Sequence, residues 1–289
     1  MSEIFSNATT VAQSIGQEFL KELHTPSWFM IDPVSSWTMN QWVIFPFLFV
    51  IPAEISGAIC DLLIYFSVSQ KKETPGDLPH QPGPPFDKRP ALVFKDRFYA
   101  YFNRLVMLPF VSWLVVKTVW NSDAMVYSMD EMTFMNTFVS FVIVFSLSDL
   151  VYYTGHRIVH HFPFLYKWIH KHHHGEPAPM RGWFDTCNAT PFDFFYTGWS
   201  TSPMSTLWLM PKNSVHIVAI MACLYTNMFV GALGHCRLDL NWGFFNTRFH
   251  AGHHATSRTN YAQNIELWDR LFGTYEDLKT GDLGKAKKA

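Results

Sequence analysis

Seven histidines fall within nineteen residues in "HRIVHHFPFLYKWIHKHHH", which runs from His156 to His174. Six of them form two boxes: His156, His160 and His161, then His170, His173 and His174. A third box, His250, His253 and His254 in "RFHAGHHATS", repeats the HxxHH spacing of the second. On a helix, positions i, i+3 and i+4 share a face with Cβ atoms about 5–6 Å apart, so several ring nitrogens can converge on one cation. One box supplies part of a coordination shell. Three boxes and His235 supply enough neutral imidazoles for two ions, and imidazole suits iron, zinc, copper and nickel alike. Spacing alone leaves the metal open. His172 lies about 200° around a helix from His170 and is expected to point away. His24, His80 and His216 are isolated. His216 stands about 28 Å along a helix from His235, which places it near the opposite end of the same span. Asp149 precedes His156 by two turns and shares a stripe with Tyr153 and His160, from which a carboxylate could orient a ligand imidazole by accepting its second N–H.

The elements that must position these boxes are apolar. Residues 42–68 are long enough to cross about 30 Å of hydrocarbon, although Pro46, Pro52, Glu54 and Asp61 interrupt them. Interior carboxylates of that kind face protein or a cavity. Residues 70–97 are rich in proline and carry Lys71, Lys72, Lys88, Arg89, Lys95 and Arg97, so they read as a loop, cytoplasmic by the positive-inside bias. A second span is expected around 105–116, extended by Tyr99, Tyr101, Phe102 and Trp120, and a third over 133–155. The third delivers the histidines to the cytoplasmic side. Residues 192–211 and 214–234, separated by "PKN", read as a helical hairpin that returns the third box beside the first two. The expected fold is all-α: a polytopic membrane helical bundle with a cytoplasmic di-metal site. Its parts are an N-terminal segment 1–41, the first spans 42–132, a catalytic region 133–275 and a tail 276–289. Asn7 lies in an Asn-x-Thr acceptor site expected to be lumenal, and Lys285 and Lys287 form a dilysine pattern of the kind that retrieves proteins to the endoplasmic reticulum.

Composition removes some classes. A net charge of -1 gives no general attraction to nucleic acid. The four cysteines form no CxxC pair and suggest neither a disulfide framework nor a zinc ribbon. No Glu-x-x-His occurs, so the carboxylate-bridged site of soluble di-iron bundles is not available. A divalent-metal transporter places its ligands along a path near mid-membrane, whereas these boxes follow the spans at one interface.

The boxes, together with "NYAQNIELWDRLFGTY" from Asn260 to Tyr275, resemble the fatty acid hydroxylase and sterol desaturase superfamily of membrane non-haem di-iron oxidases. The resemblance covers residues 133–275. It implies metal ligation by His156, His160 or His161, His170, His173, His174, His235, His250, His253 and His254. It further implies two iron ions, dioxygen as co-substrate, a membrane lipid or sterol as substrate and residence in the endoplasmic-reticulum membrane. Electrons would come from a separate donor, a b-type cytochrome or an NAD(P)H reductase. The implied reaction is lipid hydroxylation or sterol mono-oxygenation, with desaturation as the alternative. Three positions depart from the family pattern. Thr190 to Asp193, "TPFD", stand where many relatives have His-Pro-x-Glu, which leaves that position without an assigned role. Gly231 replaces a histidine of some relatives, and Ala262 a glycine.

Overall fold

The structure, a computed structural model, describes residues 50–51, 54–66, 91–175, 181–236, 240–241, 243 and 245–276. Asn7, His24, His80, most of the expected loop 70–97, Lys285 and Lys287 lie outside them. The described fold is mostly helical. In chain order the helices are α1 (54–66), α2 (Phe94–Trp120), α3 (Met135–His161), α4 (Trp183–Cys187), α5 (Pro191–Ser200), α6 (Ile217–Gly234), α7 (Thr247–Thr256) and α8 (Leu267–Leu271). Three of these, α2, α3 and α6, are long and apolar enough to cross a membrane. Their outward faces carry Leu105, Phe110, Phe138, Val142 and Phe229, an exposed apolar surface of the kind that hydrocarbon covers.

Two expectations change. The second span begins at Phe94, so Lys95 and Arg97 belong to the helix instead of the loop. Asp96 makes this start possible, because its carboxylate accepts the Val93 N–H at 3.0 Å and supplies one of the partners a helix start lacks. The other change is in the hairpin. Residues 192–211 are not one membrane-length helix: α5 stops at Ser200, and two 3₁₀ turns follow at Pro203–Ser205 and Leu207–Leu209. Ser200 and Thr201 donate their hydroxyls back to Tyr196 O and Thr197 O, Ser202 caps the next turn, and Pro203 has no N–H to continue the ladder. A ten-residue helix rises only about 15 Å.

A two-stranded parallel sheet ties one end of the bundle. Met125–Val126 (β1) pair with Val215–His216 (β2), and His216 is fully buried, its Nε2–H donating to Ser128 O at 3.1 Å. Its Nδ1 accepts the Val218 N–H and caps α6. From that end α3 and α6 run toward the histidine boxes. Between the long helices, Val111, Val115 and Val119 of α2 pack with Val144 and Phe145 of α3 and with Ala219, Ile220 and Cys223 of α6.

The carboxylates of α1, Glu54 and Asp61, face protein. Glu54 accepts from Arg104 of α2 and, at 3.2 Å, from the Trp183 indole N–H of α4. Asp61 accepts the Trp183 backbone N–H at 2.6 Å. Gly182 sits beneath it with φ +57°, and an added Cβ would lie 2.5 Å from Asp61 Oδ1, so both the backbone and the close approach require glycine.

Candidate metal centre

Among the described residues, nine histidines converge in two groups. His156, His160, His170, His174 and His253 form one, and His173, His235, His250 and His254 the other, with the ligand atoms of each group within 4.8 Å of one another. The boxes do not map one to one onto the groups. His156 and His160, His170 and His174, and His250 and His254 are i,i+4 pairs, and each pair serves a single group. The i+3 members cross over: His173 leaves its box for the four-histidine group, and His253 leaves its box for the five-histidine group. Side chains three and four positions on diverge by about 100° around a helix, which is why one HxxHH segment can face two centres.

Backbone carbonyls hold the rings. The Nδ1–H of His156 donates to Tyr261 O at 2.6 Å, that of His253 to Thr259 O at 2.7 Å and that of His235 to Gly231 O at 2.7 Å. A longer bond of 3.4 Å joins His173 Nδ1 to Asn188 O. A carbonyl can only accept, so the proton is on Nδ1 and a lone pair is left on Nε2. The Nε2 atoms nevertheless crowd together: His156 to His170 at 2.9 Å, His174 to His170 at 3.0 Å, His253 to His174 at 3.1 Å and His235 to His173 at 3.1 Å. In the His156–His170 and His235–His173 pairs both Nδ1 atoms face acceptors, so two lone pairs meet and repel unless a cation lies between them. Burial, reinforced by the neighbouring rings, pushes His173, His174, His250 and His254 well below the usual imidazole value, and burial pushes His253 down to about 3. All are neutral near pH 7, the form that ligates metal. The donor set therefore fits two imidazole-bound ions.

Some expected residues stand elsewhere. His161 is exposed beside the Phe162 ring and belongs to neither group, so His160 is the member of that pair brought to the centre. His172 turns outward, with Nε2 2.9 Å from Asn188 Oδ1 and its ring edge-on to Tyr99. Asp149 does not orient an imidazole. It accepts the backbone N–H groups of Gln263, Asn264 and Ile265 at 3.0, 2.9 and 3.2 Å. Buried Asp269 accepts those of Tyr261 and Ala262 at 2.8 and 2.7 Å. Two carboxylates thus fix five consecutive peptides, and Tyr261 among them holds His156. Replacing Asp149 with Ala should leave buried N–H groups unsatisfied and cost about 3 kcal/mol, read as a lower thermal midpoint. Unchanged stability would contradict the clamp.

The carboxylate that does touch a ligand is Asp193, whose Oδ2 lies 2.8 Å from His170 Nδ1, both groups being buried. Thr190 places it, accepting the Asp193 N–H as the cap of α5 while donating to Ile169 O in the turn before His170. The "TPFD" segment therefore holds a histidine of the larger group. Asn103, in a π-helical turn of α2, is a further residue that sequence reasoning missed: its amide donates to Cys187 O and Ala189 O, bracketing the Asn188 that holds His173. A buried asparagine in an apolar helix was the available signal.

A cavity of about 150 Å³ opens beside the centre. Leu108, Val111 and Val115 of α2, Phe194 of α5, and Leu224 and Met228 of α6 form its apolar walls, and His173 and His235 form its floor.

Residues 141–274, which carry all of these histidines, match the family model described as fatty acid hydroxylase. Over these residues the chain is similar to the fatty acid hydroxylase family. It is 30% identical over 156 residues to the methylsterol monooxygenase erg25B of Aspergillus fumigatus, covering 50% of this chain and 52% of that protein. To the protein CER1-like 1 of Arabidopsis thaliana it is 30% identical over 146 residues, 45% of this chain and 22% of the other. A cholesterol 25-hydroxylase-like protein of Danio rerio is 29% identical over 140 residues, 44% of this chain and 52% of that protein. The chain thus spans about half the length of the methylsterol monooxygenase that it matches. No solved structure matches it.

Proposed function

We propose that this protein is an oxygen-dependent lipid oxidase, a hydroxylase or sterol-modifying mono-oxygenase, with two iron ions in the histidine groups. The observation that carries this reading is the apolar cavity whose floor is His173 and His235. An apolar pocket set among membrane-length helices suits a substrate drawn from the bilayer, and an unactivated C–H bond requires a strong oxidant, not a positioned acid or base. Iron, when bound, supplies one-electron redox chemistry and dioxygen activation, which zinc does not. The similarity to a methylsterol monooxygenase and a cholesterol 25-hydroxylase-like protein supports a sterol or related lipid as substrate.

The chain's own contribution is positioning and exclusion of water. His156, His170, His173, His235 and His253 are fixed in rotation by the acceptors of their Nδ1 atoms, so each Nε2 is aimed before any ion arrives. Val111, Val115, Phe194 and Leu224 dry the cavity and hold an apolar substrate against its histidine floor. Electrons come from a separate donor, a b-type cytochrome or NAD(P)H reductase, and the protein resides in the endoplasmic-reticulum membrane. Residues 133–275 form the catalytic region.

Oxygen-18 gas tests the reaction. With a reductant chain and lipid extracts from cells lacking the protein, labelled oxygen should appear in a lipid product, because hydroxylation retains one atom of dioxygen. A new double bond without label or hydroxylated intermediate would make the protein a desaturase. Metal movement across vesicles without lipid oxidation would make it a transporter.

A further inference from the structure

The two histidine groups are not equivalent toward the cavity. Among the described residues, none of the five histidines of the larger group lines it. Asp193 and Tyr152, which do, stand in front of that group: Asp193 holds His170, and the Tyr152 ring lies 4.8 Å from that of His156. The smaller group is in direct contact through His173 and His235.

One position beside the smaller group stands apart. His156, His170 and His250 each have a histidine partner four residues on, and all three pairs converge on metal positions. Among the described residues His235 is the one group member at the end of α6, and the residue four before it is Gly231, which also lines the cavity. Gly231 is not forced by packing. A Cβ there would meet Thr186 Cγ2 at 3.5 Å and Gln263 Nε2 at 3.6 Å, ordinary van der Waals distances. Its φ is not among the positive ones. The site could hold a side chain and does not, and Gly231 lines the cavity together with His173 and His235 while its carbonyl accepts from His235 Nδ1.

We propose that Gly231 is a specificity-determining residue: it keeps open the face of the four-histidine centre toward the cavity, so that small ligands and the reacting carbon of the substrate meet the metal there and not at the five-histidine centre. This rests on the reading of both groups as metal sites. The ligand class is a small anion or diatomic molecule with a slender apolar group behind it, a methyl or methylene instead of a bulky polar head, since the surrounding wall is Leu224, Met228 and Phe194.

Cobalt(II), an imidazole-binding ion with a visible spectrum, and azide, a small anionic ligand, provide the test. The full-length protein in nanodiscs, loaded with two cobalt ions, should bind one azide per chain. Gly231→His, which adds the missing i,i+4 partner, should still bind two cobalt ions but lose azide affinity at least tenfold. Gly231→Ala should stay within about threefold of the parent. Two cobalt ions with no azide bound, with two azides bound, or with azide affinity unchanged in Gly231→His would overturn the proposal. Failure of the parent protein to bind two cobalt ions would overturn the metal reading on which it stands. If Gly231→His does not take up two ions, the azide stoichiometry of the parent protein decides alone.

Discussion

Replacing His173 with Ala should abolish lipid oxidation and remove close to one of the two metal ions. Among the described residues the four-histidine group has no further member: without His173, His235, His250 and His254 remain. His253→Ala should also abolish activity, because His253 sits between His156 and His174 and its loss opens the larger group. That group keeps four histidines, however, so the metal content should fall less. His172→Ala should be nearly silent in both measurements, since His172 faces Asn188 and Tyr99. His216→Ala should lower stability by about 1–2 kcal/mol through its cap and its bond to Ser128, with metal content unchanged. Activity assays and elemental analysis on the four variants check this pattern. Equal damage from His172→Ala and His173→Ala would break the assignment.

The metal-free protein should be acid-labile well above the pH at which carboxylates titrate. His173, His174, His235, His250, His253 and His254 all lie below the usual imidazole value of 6.5 in the folded state, with burial the leading cause in each. In the unfolded chain the same groups take up protons as pH falls through about 6.5, whereas folded His253 stays neutral down to about 3. The unfolded state therefore binds more protons in this window, and stability present above pH 6.5 is lost progressively below it. Each such group contributes a slope of up to about 1.4 kcal/mol per pH unit. Several acting together exceed a typical total stability of about 5–15 kcal/mol within two or three units. Thermal midpoints of metal-stripped protein should fall steeply between pH 6.5 and 5, and bound metal should delay the fall. A flat profile across that range would mean that the imidazoles are not held neutral by burial.

The histidine boxes were legible in the sequence because their chemistry is local. An i,i+4 spacing forces two rings together whatever the rest of the chain does, and His235 could be placed from its position at the end of an apolar helix. How the boxes divide was not legible. The HxxHH spacing lets the i+3 members, His173 and His253, face a different centre from their neighbours, but which centre each meets depends on contacts far apart in the chain, such as His173 with His235 and His253 with His156. Asp149 was misjudged for a related reason. Its stripe does face the centre, but two helical turns separate it from His156, and across that distance it meets the 263–265 backbone instead of a ring. Asp193 is the converse case, a short carboxylate that reaches His170 because Thr190 anchors the start of α5 to Ile169. The apolar composition of 192–211 suggested a span, while Ser200, Thr201, Ser202 and Pro203 carried the signals that stop it.

The geometry of nine converging imidazoles makes one number decisive, the metal-to-chain ratio. Protein expressed with ample iron and purified without chelator should contain close to two metal ions per chain by inductively coupled plasma mass spectrometry, with iron predominant in the active preparation. A preparation fully active in lipid oxidation at one ion per chain, or at none, would contradict the account.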